Sequence, residues 1–454
     1  MLTPRTGPER HPRPVLSLGD PALYESQIHR LSARRDRDRW LVPADEISSA
    51  LDGHAREIAR RLARDVPVRG YTFKPLLPHR AVLQGKPRVI YRVDALDAVV
   101  WGAYARALSR AIDPGLGTHL YSYRSGLSQF RAADACVEFF RQHVAERRDP
   151  RARGLFVLRR DVRRYDETIS VSDDSSLWTT LQELTAGTPL GAGPVAASLL
   201  KAAFRPSIVQ ADGTAVPLLR GMPTGIPTQT IACNVYLVPV DREMLAIEGG
   251  CYARFGDDIL FAHADLAVAR HASRVLERGV ARLGLGLNTT KSLDYWLTGV
   301  GRAHAQAPEF LPVRRLPYLG LDIGFDGTRL RADKRRALLR ELFARIDHTH
   351  ASLGGCSFDE RAAACAKVVE SVFDPQHVLV HRYSGWLRAS TITRSDLLEL
   401  DHLIALHLAE RLSGKRGVRA FRSAPRRRLY EQYELPSLVH LWDLARRRRE
   451  EPEP

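Results

Sequence analysis

Apolar residues recur along the chain at spacings that predict helices in most segments and short strands in a few. Spacings of three and four predict helices at 45–65, 93–112, 128–147, 174–186, 192–204, 228–246 and 265–284. Continuous apolar runs predict strands at 154–158, on both sides of residues 257–258, and within 316–325. From residue 331 onward the pattern is helical, and breaks are predicted at Asp149-Pro150, Gly354-Gly355 and Asp374-Pro375. This order lacks the regular alternation of a doubly wound sheet, so we predict an α+β fold followed by an all-helical region.

Composition narrows the class of protein. The 454 residues are 44% hydrophobic and can bury a large core. The net charge of +16 favours a polyanionic partner, because neutralising phosphates releases counterions; an acidic membrane surface is the competing interpretation. No apolar run of about 20 residues occurs and the N-terminus has no apolar signal, so we expect a cytoplasmic protein without a membrane partner. The five scattered cysteines predict reduced thiols.

Two adjacent carboxylates, Asp257 and Asp258, lie between apolar runs, with Gly256 at the predicted bend. At about 4 Å, two like charges repel by roughly 4 kcal/mol at an effective dielectric constant of 20. A divalent metal removes this repulsion; otherwise one carboxyl takes up a proton, or the pair forms a solvated turn. The dipeptide alone does not decide among these, so the other segments carry the argument.

A series of ordered segments, spanning roughly residues 74–325, resembles the fingers and palm of reverse transcriptases. The resemblance is strongest to the prokaryotic group II intron, retron and defence-associated branches. The matching segments are 85–90 with 97–100, 121–128, 161–169, 221–237, 255–258, 285–291 and 318–321. The resemblance implies a right-hand polymerase fold and an RNA-directed DNA polymerase activity.

The same resemblance implies a division of the chain into four regions. These are an N-terminal extension at 1–44, fingers with N-terminal helices at 45–150, a palm at 151–325, and a helical thumb with a basic C-terminal region at 326–454. The palm is expected to hold an antiparallel sheet with helices. Arginines interleaved with aromatic residues at 421–433 favour RNA contact within the last region.

The resemblance implies a metal-binding role for three carboxylates. Asp161, Asp257 and Asp258 match the acids that hold two Mg²⁺ ions for nucleotidyl transfer, with Mn²⁺ as an alternative metal. The backbone carbonyl of Val162 matches a further ligand. Lys291 resembles a lysine that donates a proton to pyrophosphate; with seven lysines in the whole chain, it is more informative than any single arginine.

Other positions resemble nucleotide-binding residues. Lys86, Arg88 and Arg124 match triphosphate-binding cations, although a solvated surface cation explains each one equally well. Gly225 predicts a tight turn that lets backbone approach the nucleotide. Asn234 either contacts the substrate or is a satisfied helix residue.

The chain departs from the reverse-transcriptase pattern near these residues. Thr224 replaces the usual Gln, Gln229-Thr230 replaces Ser-Pro, and Gly256 stands where Ala, Met or Val is common. Asp166 stands where the family has a bulky aromatic that excludes the ribose 2′-hydroxyl, and a carboxylate can instead accept a hydrogen bond from that hydroxyl.

At this position the chain resembles RNA-dependent RNA polymerases, which carry the pattern Asp-x-x-x-x-Asp. The segment Gly256-Asp257-Asp258 resembles the same polymerases. Two interpretations follow: ribonucleotides are accepted, or Tyr165 takes the gating position and Asp166 caps a nearby group.

We therefore expect a polymerase that copies an RNA template, bound to a structured non-coding RNA and acting in antiphage defence. Its substrates are dNTPs, or rNTPs on the same palm, and its product is a nucleic acid. A maturase-like RNA-binding protein with a scaffolding palm is the alternative; the set of three acids argues against it.

Overall fold

The computed structural model describes residues 16–33, 53–83, 86–147, 154–373 and 385–450, together with positions 42, 47 and 51. The predicted breaks at Asp149-Pro150 and Asp374-Pro375 lie outside these ranges, as does most of the first part of the helix predicted at 45–65. In the part of the chain that is described, no helix is long and apolar enough to cross a membrane.

The helices follow in chain order as α1 Pro21–Ala33, α2 Ala55–Arg69, α3 Ala95–Ile112, α4 Gln129–Ala145, α5 Tyr165–Thr168, α6 Ser176–Thr185, α7 Gly193–Phe204, α8 Pro227–Val235, α9 Val238–Leu245, α10 Leu266–Arg282, α11 Ala332–Ser352, α12 Phe358–Phe373, α13 Arg394–Ser413, α14 Arg426–Glu431 and α15 Leu438–Glu450. The strands are β1 Leu77–Leu83, β2 Lys86–Arg92, β3 Leu155–Asp161, β4 Ser207–Val209, β5 Ala215–Pro217, β6 Cys251–Phe255, β7 Asp258–His263, β8 Leu293–Leu297, β9 Leu311–Val313, β10 Leu316–Tyr318, β11 Leu321–Gly324 and β12 Gly327–Leu330.

Two compact units divide the chain, and each is built from two stretches of sequence. The first comprises Met1–Ser128 with Val157–Asp294, and the second comprises Gln129–Phe156 with Tyr295–Pro454. The predicted borders of the fingers, palm and thumb cut the chain at other positions and stay predictions.

The sheet of the first unit is organised around an antiparallel hairpin. Strands β6 and β7 pair from Cys251↔Ala262 to Phe255↔Asp258, which places Gly256 and Asp257 at the bend. Strand β3 lies beside β7. Helix α10 packs against β7. The sheet therefore brings the end of β3 next to the bend of the hairpin.

Helix α3 forms the centre of the helical layer in the first unit. Asp94 caps it by accepting hydrogen bonds from the backbone N–H groups of Leu96 and Asp97, which explains why the helix begins at Ala95. Its buried residues lie all around the helix, so α3 contacts α1, α6 and α8. The indole N–H of Trp101, fully buried, donates to the carbonyl of Ala203 at 2.8 Å.

A buried ion pair links β6 to helix α9. The guanidinium of Arg254, which is 0% exposed, donates to Asp241 Oδ1 at 2.8 Å and to Asp241 Oδ2 at 2.5 Å. It also donates to the carbonyl oxygens of Asn234 at 2.8 Å and Gly256 at 3.3 Å. Burial alone would raise the pKa of Asp241, but Arg254 and His119 outweigh it and lower this pKa to about 2. Arg254 thus joins the hairpin bend to α8, which contains Asn234, and to α9, which contains Asp241.

The second unit combines a small sheet with helices. Strands β10, β11 and β12 form an antiparallel sheet, and helix α4 packs against β11 and β12. The carboxylate of Asp134 on α4 accepts hydrogen bonds from the backbone N–H groups of Ser390 and Thr391 at 2.8 and 3.0 Å. Helix α13 contacts α11, α12, α14 and α15. Among the described residues after 331, the predicted helical structure is confirmed.

Several predicted elements differ in detail. The helix predicted at 228–246 is two helices, α8 and α9, because Pro239 in the first turn of α9 cannot continue a preceding helix. The helix predicted at 45–65 corresponds in its described part to α2, which extends beyond the predicted end to Arg69, and most of its predicted start lies outside the described residues. The strand pair predicted within 316–325 is a three-stranded sheet that extends to Leu330.

Replacing Arg254 by alanine is expected to destabilise the first unit by about 3 to 5 kcal/mol, because it leaves the carboxylate of Asp241 buried and unpaired. Urea unfolding measures the change. The double replacement Arg254→Leu with Asp241→Leu should recover much of the loss, since no unpaired charge remains. A single variant as stable as the wild type would contradict this account.

Candidate active site

A cavity of about 1070 Å³ in the first unit collects most of the residues that the sequence analysis singled out. Among the residues that line it are Arg88, Asp161, Tyr165, Asp166, Asp257 and Lys291. They come from β2, the end of β3, helix α5, the β6–β7 bend and the segment before β8. Segments far apart in sequence therefore bring carboxylates and cations to one place.

Backbone hydrogen bonds bring Asp161 and Asp257 together. The Val162 amide donates to the carbonyl of Asp257 at 3.3 Å, and the Asn288 amide donates to the carbonyl of Asp161 at 2.8 Å. Gly256 has a φ of 64°, a conformation that glycine adopts without steric cost, so the hairpin can turn directly before Asp257. Val162 also lines the cavity beside these carboxylates.

Cations compensate two of the three carboxylates. Lys291 Nζ lies 3.1 Å from Asp161 Oδ2, and Arg159 lies 3.2 Å from Asp258 Oδ1. Asp257 has no ion-pair partner within the described ranges. Burial, with repulsion from Asp258, Asp161 and Asp166, raises the pKa of Asp257 to about 6. The pKa of Asp258 is raised by burial and lowered in part by Arg159. Negative charge is therefore least compensated at Asp257.

Carboxylate oxygens are suitable ligands for a divalent cation that brings further oxygen ligands of its own. Among the described residues, no group of three His, Cys, Asp or Glu side chains is arranged to hold a metal ion. Mg²⁺ commonly takes only one or two protein carboxylates and completes its shell with water and substrate phosphates. Asp161 and Asp257, with the raised pKa at Asp257, have the donor chemistry for such an ion.

The structure assigns Tyr165 and Asp166 to different surroundings. Tyr165 is buried, and its hydroxyl donates to the carbonyl of Cys233 at 2.8 Å. The Asp166 carboxylate is partly exposed in the cavity and accepts hydrogen bonds from Gln229 Nε2 and Cys233 Sγ, both at 3.0 Å. Asp166 thus contacts helix α8, as the second sequence interpretation expected of it.

The predicted triphosphate-binding cations separate into two groups. Lys86 and Arg88 lie on β2, and Arg88 is exposed at the cavity; the side chain of Lys86 lies outside the described part. Arg124 does not line the cavity. Its guanidinium, 8% exposed, pairs with Asp113 at 2.7 Å and donates to the carbonyl of Gly117 at 2.6 Å. Its donors are occupied by the 113–120 turn, so the structure gives Arg124 a structural role there.

Asn234 fits the second of its two interpretations. Its side chain is buried, accepts from Ser122 Oγ at 2.6 Å and donates to the Ser122 carbonyl at 2.8 Å. Ser122 Oγ in turn accepts from the Gly256 amide at 2.9 Å. Asn234 therefore holds the β6–β7 hairpin through Ser122 and is not among the residues that line the cavity. Gly225, with a φ of 105°, forms the expected turn before α8.

Sequence reasoning missed several residues of the site. Arg159 was overlooked although it stands two residues before Asp161 and therefore on the same face of β3. Arg163 and Arg164 also line the cavity, but the arginine-rich background hid them. A signal did exist for Gln229, because Gln229 and Asp166 both depart from the family pattern and the structure shows them in contact.

A comparison of sequences connects one part of this chain to a reverse transcriptase. A stretch of 120 residues, 26% of this chain, is 29% identical to the telomerase reverse transcriptase of Rattus norvegicus and spans 11% of that protein. No family model matches the chain.

Two solved telomerase structures are also similar. The apo telomerase of Candida tropicalis, truncated from the C-terminal domain, is 12% identical, with a TM-score of 0.43 over 57% of this chain and 55% of that one. The telomerase of Candida albicans, in complex with a TWJ fragment of telomeric RNA, is 11% identical, with a TM-score of 0.41 over 83% of this chain and 62% of that one.

The raised pKa of Asp257 predicts a pH-dependent cost to folding. A carboxyl with a folded-state pKa of about 6 stabilises the fold below about pH 4, and this contribution is lost as pH rises through about 6. Asp257→Asn should therefore be more stable than the wild type above about pH 6 by up to about 3 kcal/mol, at about 1.4 kcal/mol per pKa unit. Urea unfolding without divalent ions measures the difference.

Added Mg²⁺ should raise the melting temperature of the wild type more than that of Asp257→Asn. The exposed turn residue Asp212, replaced by asparagine, is the matched control and should behave as the wild type. The account of this site is contradicted if Asp257→Asn is no more stable than the wild type at any pH.

Proposed function

We propose that this protein is an RNA-directed nucleic-acid polymerase that joins nucleotides by two-metal nucleotidyl transfer. The observation that carries the proposal is the convergence of Asp161 and Asp257 in one cavity, with Asp258 at the same hairpin bend. Single carboxylates occur on many surfaces, whereas this set lies at the ends of adjoining strands, next to cations suited to phosphate.

Asp161 and Asp257 would hold Mg²⁺ or Mn²⁺, with the Val162 carbonyl and Asp258 as further ligands. Bound metal would neutralise charge on the phosphates and the attacking and leaving oxygens. Asp258 is the weaker candidate ligand because Arg159 already contacts one of its oxygens. Lys291, whose ammonium group lies beside Asp161, would give a proton to departing pyrophosphate.

Cations around the cavity suit a triphosphate and a polyanionic template. Arg80 and Arg88 come from the β1–β2 hairpin, while Arg163 and Arg164 follow Asp161 directly. Guanidinium groups bind phosphate oxygens in a bidentate manner, and the net charge of +16 favours RNA in general. A bound non-coding RNA, a cytoplasmic location and a role in antiphage defence belong to the same proposal, through the resemblance to prokaryotic reverse transcriptases.

One observation favours a second candidate, a maturase-like RNA-binding protein. Two of the three carboxylates are already paired, Asp161 with Lys291 and Asp258 with Arg159. Such pairs also suit a palm that serves only as a scaffold. We favour the polymerase because Asp257 and Asp166 leave negative charge in the cavity that a scaffold does not need.

Asp161→Ala and Asp257→Ala should each lower template-directed nucleotide incorporation by at least about 1000-fold. A metal supplies several kcal/mol of transition-state stabilisation, and each 1.4 kcal/mol is about tenfold in rate. Single-nucleotide extension of a primer on an RNA template measures the rate.

Asp212→Ala, an exposed aspartate in the β4–β5 turn, is the matched control and should keep wild-type activity. Near wild-type incorporation by either active-site variant would refute the assignment. RNA binding by a wild type that incorporates nothing would favour the maturase-like protein.

A further inference from the structure

Three arginines lie close together where helix α1 packs on helix α3 in the first unit. The guanidinium of Arg106 on α3 donates to Ser26 Oγ on α1 at 2.9 Å. Arg30 lies one helical turn after Ser26, and Arg110 lies one turn after Arg106. Arg30, Arg106 and Arg110 form what we call the arginine cluster. None of its members lines the cavity of the candidate active site.

The arginine cluster has no ion-pair partner among the described residues. Burial, with repulsion from Arg30 and Arg110, lowers the pKa of the Arg106 guanidinium. Glu25, which is the only acidic residue of α1, lies 3.4 Å from Arg56 of α2 instead. Like charges four residues apart on one helix, such as Arg106 and Arg110, destabilise that helix. The cluster therefore opposes folding unless an anion binds to it.

The packing of α3 does not require these arginines. From Ala98 to Ile112, every residue of α3 is buried except Arg106, Ser109 and Arg110, which share one face of the helix. Neutral polar side chains would suit this face equally well. One arginine here would be an ordinary solvated cation, whereas three that repel one another are better explained by a shared anionic ligand.

The chemistry of the cluster indicates a ligand with several phosphates and no recognised base. Guanidinium groups bind phosphate oxygens in a bidentate manner, and two helices present three of them together. The aromatic residues of α1 and α3 are Tyr24, Trp101 and Tyr104, and all of them are buried. No ring on these helices is therefore available to stack on a base, which disfavours a free nucleotide. Contacts to phosphates alone are those that position a nucleic-acid backbone.

We propose that the arginine cluster is a second nucleic-acid site, which binds backbone phosphates of RNA outside the cavity of the candidate active site. The choice of RNA rests on the polymerase function proposed above, whereas the need for phosphate rests on the cluster itself. The site would bind RNA without regard to its sequence and would relieve the repulsion among the three guanidinium groups.

The test measures the affinity of the full chain for a labelled single-stranded RNA of mixed sequence over a range of salt concentrations, by fluorescence anisotropy. The triple variant Arg30→Gln, Arg106→Gln and Arg110→Gln should bind about 10-fold or more weakly at low salt. On a single strand, each lost phosphate contact reduces the slope of log affinity against log salt by about 0.7, so the slope should fall by about 2. The corresponding triple lysine variant should keep the wild-type slope, because its charge is unchanged.

The matched control removes the same charge from another exposed helix face of the first unit. Arg274→Gln, Arg278→Gln and Arg282→Gln together change α10, where all three arginines are exposed. This control variant should change the slope by less than about one, the effect of roughly a single phosphate contact. Without RNA, the glutamine variant of the arginine cluster should melt at no lower temperature than the wild type, since it lacks the repulsion.

Equal slopes in the wild type and the glutamine variant of the cluster would overturn the inference and leave the polymerase proposal intact. An equal loss in the α10 control would also overturn it, because overall charge would then explain the binding. A glutamine variant that melts below the wild type would indicate that the arginines hold α1 to α3, and a loss confined to phosphatidylserine vesicles would indicate a membrane surface; either result would overturn it. A wild type that binds no RNA would refute the RNA partner of the proposed function together with this inference.

Discussion

The ion pair between Arg254 and Asp241 is the interaction on which the candidate active site depends most. Arg254 stands three residues before Asp257, is fully buried, and bonds the carbonyl oxygens of Asn234 and Gly256 as well as the Asp241 carboxylate. One guanidinium therefore joins the hairpin bend to the helices behind it. Burying two charges is costly, and the arrangement is stable only while both partners and their hydrogen bonds are present. The position of Asp257 thus follows from a polar network that has no catalytic role of its own.

The charged side chains in and next to the cavity explain which ligands it can bind. Lys291 and Arg159 compensate Asp161 and Asp258, whereas Asp257 and Asp166 face the cavity without an ion-pair partner in the described residues. Repulsion among these carboxylates and burial raise the pKa of Asp257 to about 6. A divalent cation at Asp257 would relieve this repulsion, as the proposed function expects.

Local patterns predicted the framework of this site, and long-range hydrogen bonds decided its details. The apolar run at 154–158 and the glycine before Asp257 were enough to predict β3 and the hairpin, since both depend on neighbouring residues. Arg124 and Asn234 were harder, because their roles depend on partners that the sequence does not identify; Asn234 bonds Ser122, 112 residues away. The contact between Asp166 and Gln229 spans 63 residues and was visible only as two separate departures from a family pattern.

The central claim is that the Asp161 and Asp257 cavity makes phosphodiester bonds on an RNA template. Sequencing the nucleic acids that copurify with the wild type and with Asp257→Ala tests this most directly, because it reports the template and the product together. The account predicts an RNA bound to both proteins and, only in the wild type, a newly made strand complementary to part of that RNA. The same nucleic acids in both preparations, without a complementary strand, would contradict it.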